Sequence, residues 1–155
     1  MKYIFSLILL LVGTPVLYAQ SIHFTPVTFS NLYIGDGHAA QGDGEIAGNA
    51  LETSMDVIFS VRLIRKGTMP LNYPRAEDDK YIMAMGVHKE LKNALKIASA
   101  NLLDWLQYQH DLTLQEATQV MSTTIEYTIA EIADPEQMVV AKIEKKKLKD
   151  LPLRR

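Results

Sequence analysis

"YIMAMGVHKELKNALKIASANLLDWL", residues 81–106, decides the fold of this 155-residue chain. Its opening run, YIMAMGV, is mostly apolar and of strand length, and is expected to be buried on both faces. From about Lys89 to Gln109 the period changes. Leu91, Ala94, Leu95, Ala98, Leu102 and Trp105 recur at spacings of three and four, the apolar stripe of a helix lying on a core. Trp105 and the Met83/Met85 pair suit that core better than a cofactor pocket.

Downstream, "DLTLQEATQVM" (111–121) opens a second helix. Thr113 with Glu116 three places on forms a capping-box pattern, and Leu112 is placed to staple onto Ala117. "IEYTIAEIA" (125–133) alternates, with Ile125, Tyr127, Ile129 and Glu131 on one face. The turn "DPEQ" leads into "MVVAKI" (138–143), a last strand that pairs naturally with the one before it. Upstream, "TMPLNYPRAEDDK" (68–80) reads as a loop by its two prolines and its charges. "ALETSMDVIFSVRLIRKG" (50–67) reads as one long strand with Met55, Val57, Phe59, Val61 and Leu63 on a common face. Phe29 to Ile34 reads as a short strand. Strands and helices are segregated more than alternated, which predicts an α+β fold with mostly antiparallel pairing.

The ends and the composition bound the rest. "MKYIFSLILLLVGTPVLYAQ" has the layout of a secretory signal peptide: a basic start, a short apolar run, helix-breaking Gly13 and Pro15, and Ala19 before a cut. Residues 1–19 are therefore expected to be removed, leaving no membrane span and a secreted or periplasmic protein. There is no cysteine, so an exported chain would rely on its core alone. A net charge of −2 gives no support for a nucleic-acid partner. The basic stretch 144–155 is expected to be a solvated tail, with attraction to an anionic surface as a second option.

The chemistry concentrates in "GDGHAAQGDGE", residues 35–45. Five of the eight glycines lie between Gly35 and Gly48, so the segment is a turn system. Asp36 and His38 are two apart, as are Asp43 and Glu45, and residues two apart in extended backbone point the same way. One imidazole with carboxylate oxygens suits a hard or borderline divalent ion such as Zn²⁺, Mn²⁺ or Ca²⁺. A carboxylate base with backbone N–H donors would serve a metal-free hydrolase. A polar turn with solvated acids accounts for the same pattern. Glu52 either faces this site or merely starts the strand. His23, His88 and His110 stand alone, the last two better suited to surface or capping roles than to ligation.

The block "GDGHAAQGDGEIAGNALETSMDV", Pro74 and Arg75, the stretch 81–106, "LTLQEATQVMS" and "IAEIADP" together resemble the acetamidase/formamidase family, over nearly all of residues 32–143 and in family order. The resemblance assigns residues 20–143 to an amidase-like domain. It implies hydrolysis of the C–N bond of small linear amides, an oligomeric, largely β protein with some helix, and a plausible divalent metal, zinc or calcium. It points to Glu45, Asp43 and His38 as catalytic, with Glu45 the general base. Gly42, Gly44 and Gln41 would bind substrate, and Asp36 with His38 would hold metal. Family members are typically about twice as long, with the glycine block in their second half. A non-catalytic subunit module completed by a partner chain is therefore the alternative reading.

Overall fold

The computed structural model of the protein describes residues 35–60 and 72–154, and the backbone of residues 23–25. The expected signal peptide, the strand expected at 29–34 and the second part of the long strand lie outside these residues. In chain order the elements are β1 (His23–Thr25), β2 (His38–Ala40), β3 (Leu51–Glu52), β4 (Arg75–Glu77), β5 (Tyr81–His88), α1 (Leu91–His110), α2 (Leu114–Thr124), β6 (Glu126–Glu131) and β7 (Gln137–Glu144). One sheet has five strands in the order β1-β4-β5-β7-β6, and β2 pairs with β3 in a separate hairpin. Among the described residues every pairing is antiparallel, giving the α+β architecture expected from the sequence.

The core forms where α1 and α2 cover one face of the sheet. Ile82 and Ala84 from β5, and Val139, Ala141 and Ile143 from β7, meet Ala94, Ala98, Leu102, Trp105 and Leu106 of α1 and Ala117 of α2. Small residues where the backbones approach most closely (Ala84, Gly86, Ala94, Ala98, Ala141) let α1 lie low on the sheet, and the larger side chains fill the space beyond. Burial of Leu102 and of Leu106, both fully enclosed, contributes about 2 kcal/mol each.

Along β5 the alternation is strict: Ile82, Ala84 and Gly86 are buried while Tyr81, Met83 and Met85 are half-buried. Burial on both faces, expected from the apolar run, is thus corrected to burial under the helices on one face. The capping box at α2 is complete, with the Thr113 hydroxyl accepting from the Glu116 N–H at 3.3 Å and the Glu116 carboxylate accepting from the Thr113 N–H at 2.9 Å.

Three further expectations change. Arg75–Glu77, read as loop, is a strand paired to β5, because the Arg75 side chain turns inward rather than out to water. Its Nε donates to the Asn101 side-chain oxygen at 2.9 Å, and its guanidinium lies 5.3 Å from the Trp105 ring centre. Burial lowers its pKa to about 10, so it stays charged at neutral pH. Residues 53–60, read as part of a long strand, carry no strand, and Val57, Ile58 and Phe59 are exposed. Side-chain alternation suits a pleated surface, but among the described residues no neighbouring strand pairs with this segment beyond the Thr53 N–H, and a strand needs one.

The basic C-terminal stretch is not a solvated tail. Leu148 is buried in the core, and Lys145 and Lys147 pair with Glu77 at 2.9 Å and Glu126 at 3.2 Å. His110, given a surface or capping role from the sequence, is buried at the end of α1 and donates from Nδ1 to the Pro152 carbonyl at 2.8 Å, which holds this stretch down. His88, read as a loop residue, is the last residue of β5, and its Nδ1 accepts from the Glu90 N–H at 3.0 Å. Among the described residues no helix is long and apolar enough to cross a membrane.

Candidate functional site

The glycine block folds as the hairpin β2–β3 with a 3₁₀ turn, Asp43–Glu45, between its strands. The register places Glu52 directly across from His38, and the Thr53 N–H donates to the Gly37 carbonyl at 2.8 Å. Gly37 is buried where an added Cβ would meet the end of the Met55 side chain. Asp36 adopts a left-handed backbone, φ 57°, which swings its carboxylate back toward the hairpin.

These constraints converge on one buried imidazole. His38 is 1% exposed, and its Nε2 lies 3.5 Å from Asp36 Oδ1 and 3.2 Å from Glu52 Oε1 while making a hydrogen bond with neither. Its Nδ1 is 2.8 Å from Gln41 Oε1, and Gln41 Nε2 donates to the Ala130 carbonyl at 3.0 Å. The Gln41 contact raises the His38 pKa against the opposing effect of burial, and the Glu52 and Asp36 carboxylates push it the same way.

Asp36, His38 and Glu52 each offer one ligand atom, all within 4.8 Å of one another. Ligands about 2.1 Å from a tetrahedral ion lie roughly 3.4 Å apart, so the two short separations at Nε2 fit a cation between the groups. An ion held by these three donors would have room for a further ligand. Both carboxylates are more than half exposed, so the group is reachable from solvent.

The expected pairing of Asp36 with His38 is present. Asp43 and Glu45 lie in a turn rather than on extended backbone, with Gly44 at φ 76° and Glu45 at φ 45°. Asp43 is exposed at the head of the turn, and Gly42 is exposed with its carbonyl accepting the Glu45 N–H. Gly44 is buried, and its carbonyl accepts the Ile132 N–H at 3.0 Å. Glu45 turns toward β6; its pKa is raised, first by burial and then by a hydrogen bond with the Glu131 carboxyl. Gln41, read as a substrate contact, is held between His38 and Ala130. Glu131 was not among the residues singled out for chemistry. The alternation that put it on a face of β6 was its only sequence signal.

The chain thus places an imidazole flanked by two carboxylates in a glycine-rich hairpin beside an antiparallel α+β scaffold. Residues 17–145 match the Acetamidase/Formamidase family, and the chain belongs to it. No curated protein matches. Among solved structures, acetamidase from Yersinia enterocolitica is 28% identical with a TM-score of 0.60, covering 72% of this chain and 33% of that one. A predicted acetamidase/formamidase from Thermoanaerobacter tengcongensis is 21% identical with a TM-score of 0.61, covering 77% of this chain and 40% of that one. Acetamidase from Bacillus halodurans, at 20% identity and a TM-score of 0.57, covers 74% and 39%. The latter two share the fold. The chain thus spans about a third to two-fifths of the length of these structures.

Proposed function

We propose that the protein takes part in hydrolysis of the carbon–nitrogen bond of small linear amides of the formamide or acetamide kind, outside the cytoplasm, at the site around His38. The observation that carries this reading is the buried His38 imidazole with Nε2 facing two carboxylates, inside the glycine block of an amidase-family chain. Export rests on the residue order of the first twenty positions alone.

Asp36, His38 and Glu52 would hold a divalent cation, zinc or calcium. Such a cation supplies polarisation of the amide carbonyl and a lowered pKa for a water beside it. Glu45 is the general base. Its raised carboxyl is closer to neutral pH than an ordinary glutamate, which suits proton transfer in both directions. It takes a proton from water as the carbon–oxygen bond forms, then gives it to nitrogen as the carbon–nitrogen bond breaks. Ammonia leaves and the carboxylic acid remains. Asp43 and Gly42, exposed at the turn, are the loop groups open to an incoming amide.

The test is ammonia release from formamide and acetamide by the purified chain. Glu45→Gln and His38→Ala should each abolish it with the circular dichroism unchanged; activity surviving both in folded protein would sink the site. A second reading is favoured by the exposed apolar segment at Val57–Phe59: the chain is a subunit module whose catalysis needs a complementing chain or a second copy. An inactive single chain that gains activity on mixing with a chain carrying the remaining family strands would select it.

A further inference from the structure

The Gln41 amide is fixed at both ends, and this determines where the His38 proton sits. Ala130 offers a carbonyl, which only accepts, so the group 3.0 Å from it must be the Gln41 NH₂. A flipped amide would set two carbonyl oxygens against each other and aim its NH₂ at His38. With the NH₂ on Ala130, the amide oxygen faces His38 Nδ1 at 2.8 Å and can only accept. Nδ1 must therefore carry a proton, and in the neutral ring Nε2 keeps its lone pair. That lone pair belongs to the buried atom that lies 3.5 Å and 3.2 Å from two carboxylate oxygens and hydrogen-bonds to neither.

The anchor comes from an irregularity in the sheet. Ile129 pairs with Val139 and Glu131 with Met138, so Ala130 is an extra residue on β6, opposite none of its own on β7. The Gly44 carbonyl is held by the Ile132 N–H from the same strand end at 3.0 Å, which fixes the block beside this step.

We propose that Gln41 is a positioning residue that reads the Ala130 carbonyl and locks His38 in the Nδ1–H tautomer, presenting Nε2 as the ligand atom for a divalent cation. The tautomer follows from the hydrogen bonds alone; the cation rests on the reading of the site given above. Holding a ligand histidine through its second nitrogen sets ring orientation and basicity, and losing such a partner typically weakens metal affinity about 10–100-fold.

The experiment is long-range ¹H–¹⁵N NMR of the imidazoles in the full chain, with the His38 signals assigned by their loss in His38→Ala, at a pH where the ring is neutral. Wild type should carry its proton on Nδ1. Gln41→Glu gives up the Ala130 anchor, but its carboxylate, turned from that carbonyl, still accepts from Nδ1 and should keep the proton there. Gln41→Leu should move it to Nε2, where Asp36 and Glu52 can accept it. Zinc titrated calorimetrically should bind wild type and Gln41→Glu, and bind Gln41→Leu about 10–100-fold more weakly. A wild-type ring protonated at Nε2, or a Gln41→Leu ring still protonated at Nδ1, overturns the positioning role. Should Gln41→Leu fail to fold, the wild-type and Gln41→Glu spectra decide the question. If wild type takes up no zinc while the tautomers follow expectation, the cation reading falls and the Gln41 assignment stands.

Discussion

A Cβ added at Gly86 would sit 2.1 Å from the Ala94 carbonyl oxygen and 2.3 Å from the Ala98 nitrogen, backbone atoms that move only if α1 moves. Gly86→Ala should therefore lower unfolding stability by about 3 kcal/mol, at the upper end for overpacking, read as a drop in the urea midpoint with the slope unchanged. A midpoint within error of wild type would show that α1 does not sit as low on β5 as described. The same scale separates what the sequence disclosed at the site from what it hid. Asp36 and His38 could be paired from their spacing. Glu52 could not, because it meets His38 across a hairpin whose register depends on the turn between them. Gln41 was assigned to substrate through the family resemblance, since nothing local tells that its amide is spent on Ala130, eighty-nine positions along the chain.

At the scale of elements, α2 begins on a capping box, and that start is both removable and acid-sensitive. Thr113→Ala should cost about 1 kcal/mol, seen in thermal or urea unfolding. The hydrogen bonds from the Thr113 hydroxyl and then its backbone lower the Glu116 pKa below its unfolded value. The stabilisation is thus complete above the ordinary glutamate range and is lost as pH falls through the lowered folded-state pKa. Glu116→Gln should flatten that acid-side loss in unfolding curves recorded between neutral and strongly acidic pH. The elements that sequence identified (β5, α1, α2, β6 and β7) are those whose period is long enough to be read and whose partners lie nearby. β4 escaped because Pro74 and the charges after it signal a loop, whereas pairing to β5 and an inward-turned Arg75 make a strand. Residues 53–60 were read too generously because alternation specifies suitable side chains and not the presence of a partner edge.

For the whole molecule, apolar exposure is uneven. Ile46, Leu51, Val57, Ile58 and Phe59 all emerge from the hairpin and the segment after it, and Ile58 is fully exposed. Such a cluster favours association. Ile58→Asp with Phe59→Lys should shift the purified chain toward monomer in sedimentation velocity, and a distribution identical to wild type would clear this segment of any role in assembly. The helices bury most of their apolar stripe, with Leu95 and Leu114 left exposed, and the lysine-rich end that charge alone suggested was free is folded against them through Leu148 and His110.

The extra residue in β6 carries a consequence for how such chains can change length. Substitutions along β6 alter side chains and leave the ladder as it is. Deleting one residue between Ile129 and Glu131 would instead let β6 and β7 zip into continuous register and withdraw the carbonyl on which Gln41 hangs. An alignment that closed this gap would look tidier and would describe a protein whose histidine is no longer oriented. The constraint falls on a methyl-bearing residue through its backbone carbonyl, and it is a constraint on counting rather than on chemistry.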